Sequence, residues 1–109
     1  MLDPYLFQVT DPRGYDVSLQ RKRYHDHIQR RHPGVDIDSI QIAVEAPDLI
    51  TEDKDSIHVN IYYAEGILQG DPLAYLKVCV LFRKEGRGLV ITAYEEDEID
   101  EEEEILWQK

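Results

Sequence analysis

The sequence predicts an α+β fold in which an N-terminal helical hairpin packs on a small antiparallel β-sheet. Three observations predict it. Apolar residues in the first half recur at helical spacing between the breakers Pro33-Gly34 and Pro47. From Leu49 onward the pattern changes to the alternation of a half-buried strand. Residues 73–83 and 89–95 then read as two strands of a hairpin around a glycine-containing turn.

In chain order, residues 5–9 read as a short strand or extended arm, closed by the turn chemistry of Asp11-Pro12-Arg13-Gly14. Ser18 is placed to cap a helix over residues 19–31, with Tyr24 and Ile28 on one face. Asp36 or Asp38 caps a second helix through Ile40, Ile42, Ala43 and Val44. Both helices are short enough to need a sheet to pack on. The next strand puts Ile57, Val59, Ile61 and Tyr63 on one face and His58, Asn60 and Tyr62 on the other. Residues 64–72, with two glycines and a proline, form a loop. Over residues 73–83, Leu76, Val78, Val80 and Phe82 share one side, while Tyr75, Lys77, Cys79, Leu81 and Arg83 share the other. A one-residue slip in the hairpin would reverse every side chain. The pairing that groups Leu89, Ile91 and Ala93 with Leu76, Val78 and Val80 gives the helices one apolar surface. It leaves His58, Tyr62, Lys77, Arg83, Thr92 and Tyr94 on the opposite surface, either an ordinary solvated sheet face or a phosphate-binding one.

A length of 109 residues suits one domain, residues 1–109, with a core that needs no metal or disulfide staple. Cys79 is the single cysteine, no basic-then-apolar leader opens the chain, and no apolar run matches a bilayer. The expectation is a cytoplasmic protein with no membrane partner. The net charge of -11 argues against a nucleic-acid partner until its distribution is read. Residues 95–104 hold nine acidic side chains, interrupted by Ile99, whereas residues 1–34 hold six Lys/Arg against four Asp/Glu. The acidic run reads as a solvated, self-repelling loop or as a cover over the basic first helix, and Trp107 as an anchor that docks back on the body.

Cleaving RNA through its own 2'-hydroxyl needs a base, an acid and a positive or hydrogen-bonding group for the phosphorane, but no cofactor. His27 borders the buried stripe of the first helix and is the leading acid/base candidate, with Arg31 one turn further on as a phosphate fork. His32 is the second titratable group, and Thr92 and Tyr94 are hydroxyl donors. Lys77, Arg83, Arg23 and Arg30 are candidates for substrate binding. Each has a plain alternative: Arg31 and His32 favour a helix C-terminus, His27 suits a hydrogen-bonded boundary, and Lys77, Arg83, Thr92 and Tyr94 suit a solvated strand. His58 has no motif around it. His25 and His27 lie about 200° apart on a helix, which argues against a zinc site, and Cys79 reads as a packed strand residue. The sequence has no Gly-rich phosphate loop, nucleophile elbow or dinucleotide fingerprint.

Several segments fall together in kind and order: Tyr24-His25-Asp26-His27-Ile28 leading into Arg31-His32-Pro33, Ala46-Pro47-Asp48 with Ile50, Tyr75-Leu76-Lys77-Val78, and Ile91-Thr92-Ala93-Tyr94. Over roughly residues 15–107 the chain thereby resembles the phage and toxin branch of the barnase/EndoU/colicin/RelE-like (BECR) nucleases. The resemblance implies a helical hairpin before a small antiparallel sheet, and a metal-independent ribonuclease or a toxin or phage domain with no cofactor. RNA is the implied partner, with an antitoxin or immunity-type protein as a second. A module of a different class remains open, in which the same fold is catalytically silent and its acidic segment engages a basic protein.

Overall fold

The computed structural model describes residues 2–67 and 74–109; Leu73 and much of the loop expected over residues 64–72 lie outside them. Its centre is a seven-stranded sheet in the order β1-β2-β6-β5-β4-β3-β7. The strands are β1 Tyr5–Thr10, β2 Asp16–Gln20, β3 Leu49–Glu52, β4 Val59–Glu65, β5 Tyr75–Lys84, β6 Arg87–Glu96 and β7 Glu104–Gln108. Every neighbouring pair is antiparallel except β2 with β6. The α+β class holds, but the sheet is larger than a small antiparallel one, and a strand pair precedes the helices.

That strand pair changes the reading of Ser18. It lies within β2, opposite Gln8 of β1 and Leu89 of β6, and does not cap a helix. The helical segment starts at Arg21, after Gln20, which makes no side-chain cap. It runs through Arg21–Arg23, a π-wound turn Tyr24–Ile28 and Gln29–Arg31. Since β2 pairs with β6 only through Leu89, this first helix takes the place beside the remainder of β6. The second helix, Ile37–Glu45, behaves as its sequence requires. Asp36 accepts a hydrogen bond from the Ser39 amide at 2.7 Å, so it, and not Asp38, is the cap.

The helices cover one face of the sheet. Tyr24, Ile28, Ile40, Ala43 and Val44 pack there on Leu19, Tyr62, Leu76, Val78, Val80, Val90 and Ala93. The opposite face carries a smaller cluster of Leu49, Val59, Ile61, Tyr63 and Cys79, with Tyr75, Leu81, Ile91, Tyr94 and Ile99 packed against it. Two expectations about the faces are corrected. Tyr62 pairs with Val78 and points into the main core, fully buried, because its hydroxyl finds partners there. The hairpin register shifts between Cys79 and Val80, where Cys79 faces Thr92 and Val80 faces Val90. This bulge makes Ile91 the extra residue, so Val90 and Ala93 enter the main core while Ile91 joins the other face.

The partners of Tyr62 come from the first turn. The Asp11 carboxylate accepts from the Tyr62 hydroxyl at 2.6 Å, from Arg13 Nε at 3.1 Å and from the Arg13 and Tyr15 amides. Arg13 Nη2 also donates to Asn60 Oδ1 and Tyr62 Oη, each at 3.0 Å, and its guanidinium lies over the Tyr15 ring. A buried carboxylate is thereby paired and fully bonded, which is the condition for its burial. No helix among the described residues is long and apolar enough to cross a membrane.

Candidate active site

The π-wound turn presents His27 half-buried between turns that carry Arg23 and Arg31. Its imidazole is held below the ordinary value of 6.5, first by burial and then by the neighbouring Arg31, Arg23 and His32. Arg31, Arg23 and His32 are thus near enough to act on its charge. A π-wound turn in a short helix often marks a functional site. His25 is exposed and faces Gln29, with Nδ1 and Oε1 2.9 Å apart. Arg30 is exposed and makes no ion pair among the described residues.

His32 connects this helix to the sheet. Its amide donates to the Ile28 carbonyl at 2.7 Å, and its ring stacks on Tyr94, with centroids 5.4 Å apart and planes at 30°. Lys77 stands opposite Tyr94 in the β5–β6 ladder. Its Nζ is 5.4 Å from the Tyr94 ring centroid, 5.8 Å from that of Tyr63 and 4.0 Å from Glu103 Oε2. Burial presses the Lys77 ammonium downward, but the Tyr94 phenol and the Glu103 carboxylate outweigh it, and the group stays above the ordinary lysine value. Thr92 faces Cys79, two positions from Tyr94 on β6, and is half-buried. His32 and Lys77 thus each approach the Tyr94 ring.

Arg83 stands apart. It lies six residues beyond Lys77 on β5, roughly 20 Å away at the rise of an extended strand. His58 is exposed. Among the described residues no three His, Cys, Asp or Glu side chains are grouped as metal ligands would be. Cys79 is buried, and burial pushes its thiol up to about 11.

The residue missed in the sequence is Glu103. It is 7 % exposed, and its Oε1 accepts from Thr51 Oγ1 at 2.8 Å and from the Tyr63 hydroxyl at 2.6 Å. Burial, and then this carboxylate, hold the Tyr63 phenol protonated. Asp100 and Glu102 pair with Lys54 at 2.9 Å and 3.2 Å. The acidic segment therefore does not cover the first helix and is not a free loop. Its ties run to β3, β4 and β5, and β7 completes them by pairing with β3, where Trp107 stands opposite Ile50. The only sequence signal for this was the return of apolar residues at Ile105-Leu106-Trp107.

Chemically, the arrangement offers one imidazole kept neutral near pH 7, a second imidazole against a phenol, arginines beside the first and an ammonium beside the phenol. Comparison with family models, with curated proteins and with solved structures finds no match for the chain.

Proposed function

We propose that this chain is a metal-independent ribonuclease-like domain of the toxin or phage type that its sequence resembles. The observation that carries the reading is the stack of His32 on Tyr94, a ring that Lys77 also approaches, with His27 in the helical segment that leads into His32. Two imidazoles in different surroundings are what a base and an acid require. His27 takes the proton from the ribose 2'-hydroxyl as the 2'-oxygen bonds to phosphorus. His32 gives a proton to the 5'-oxygen as its bond to phosphorus breaks, leaving a 2',3'-cyclic phosphate and a 5'-hydroxyl. Arg31 and Arg23 hold the phosphate, Lys77 and Tyr94 face its developing charge, and Thr92 orients the strand. The test is cleavage of single-stranded RNA in a chelator. Cyclic phosphate ends, and a loss of at least about 100-fold in His27→Ala and His32→Ala, are expected. Intact RNA at high protein concentration, or full rates in both variants, would end the proposal.

A second reading is favoured by one observation: Glu103 ties the acidic segment to the sheet, while Asp97, Glu98 and Glu101 of the same segment are exposed. Under this reading the domain is catalytically silent and those carboxylates engage a basic protein. Removing the whole segment would also remove Glu103, so the informative variant reverses Asp97, Glu98 and Glu101 to lysine. Lost capture of a basic partner by that variant, with no RNA cleavage by either form, would favour this reading over the first.

A further inference from the structure

Resting on the ribonuclease reading, we infer that a second site on the same sheet face binds the phosphate backbone of single-stranded RNA, away from the point of cleavage. The site is a cleft of about 690 Å³ between β1, β2, β6 and β5. Arg83, Lys84 and Arg87 line it, all exposed, against one lining carboxylate, Asp16, which accepts from Thr10 at 3.3 Å. None of the three cations is paired with a carboxylate among the described residues. In a chain of net charge -11, three unpaired cations in one concavity are a local reversal of sign.

The topology places the cleft in line with the His32–Tyr94 pair. Leu81 belongs to the apolar cluster on the Tyr94 face and forms part of the cleft floor with Leu89, its partner in the ladder. Lys77, Cys79 and Leu81 alternate onto that same face, and Arg83 lines the cleft at the register shift that follows Leu81, so a strand held near Tyr94 can follow β5 toward Arg83. The separation of roughly 20 Å spans several nucleotides.

The overall charge does not forbid this. The acidic segment starts where Glu95 pairs with Leu76, seven residues from Arg83 along β5, which is roughly 23 Å of strand. The Debye length at physiological ionic strength is about 8 Å, so the carboxylates are screened at the cleft. Spaced cations lining a groove suit a repeating phosphate backbone.

The experiment uses the full chain and 2'-O-methyl RNA, which cannot be cleaved through its 2'-position, followed by fluorescence anisotropy. A 12-mer is expected to bind at least about tenfold tighter than a 4-mer, and Arg83→Glu with Arg87→Glu to abolish that difference. The milder pair Arg83→Gln with Arg87→Gln lowers the slope of log affinity against log salt by about 1.4, for two phosphates released. An unchanged length dependence and salt slope overturn the inference, as does loss of binding to a polyglutamate peptide with RNA binding intact. Because the probe resists cleavage, these results are independent of whether unmodified RNA is cut: failure to cut with a length-dependent, Arg83-dependent affinity sinks the catalytic reading and keeps the cleft.

Discussion

The Tyr63 hydroxyl donates to the buried Glu103 carboxylate at 2.6 Å, and this bond fastens the acidic segment to the middle of the sheet. Tyr63→Phe removes one of the two hydroxyl donors and is expected to cost about 1.5–3 kcal/mol, the range for a bond to a charged group. Urea unfolding followed by circular dichroism measures it. The same variant should be nicked faster by a protease that cuts after acidic residues, since only the Thr51 hydroxyl and the ion pair with Lys77 then hold the carboxylate.

Arg13 and Asp11 give a second stability prediction. Arg13→Met leaves the Asp11 carboxylate buried without its cation, at an expected cost of about 3–5 kcal/mol. Arg13→Lys recovers only part, because an ammonium cannot bond Asp11, Asn60 and Tyr62 in one plane. Paired chemical denaturation curves at pH 7 distinguish these outcomes.

Proton NMR of the His27 ring is expected to show a midpoint below 6.5, and Arg31→Gln to move it up, since burial and then Arg31 hold it down. The sign for stability follows. The unfolded chain binds this proton more readily than the folded one, so His27 makes stability rise with pH through the window below 6.5. Cleavage, if His27 is the base, falls on the acid side of the same window.

Cys79 should resist alkylation. With its thiol pushed up to about 11, roughly one molecule in a thousand carries the thiolate at pH 8. Iodoacetamide is expected to modify the native protein slowly and the urea-unfolded protein at the rate of a free thiol. Equal rates in both states would contradict the burial.

Gly88→Ala tests the hairpin packing. A Cβ there would lie 2.5 Å from Val80 Cγ1 and within 2.9 Å of the Phe82 ring, in a strand beside the core. The expected cost is about 1–3 kcal/mol, read as a lowered thermal midpoint.

Local signals in the sequence carried far. A cap at Asp36 or Asp38, the stop at Pro47 and the hairpin strands all rest on nearest-neighbour chemistry, and all appear, the cap at Asp36. That His27 and Arg31 stand one turn apart on a helical segment was legible because the spacing of a turn is fixed by backbone geometry. What depended on distant partners was not. Ser18 has cap chemistry, but strands on both sides of it decide for β2. Tyr62 looks like an outward polar residue until the Asp11 carboxylate is placed beside it. The bulge at Ile91 reverses faces without any glycine to announce it, and Glu103 differs from its acidic neighbours only through Thr51 and Tyr63. Of the site, the approach of His32 and of Lys77 to Tyr94 needed the fold, as did the separation of Arg83.

Strand β2 pairs with β6 alone among the later strands, Asp16 opposite Arg87 and Ser18 opposite Leu89. During synthesis β2 leaves the ribosome roughly 70 residues ahead of its partner β6. Val17 and Leu19, fully covered in the finished fold, pass that interval with one side of their strand unpaired. A nascent chain stalled between the two strands therefore carries a two-stranded hairpin with an open edge, which later residues alone can close.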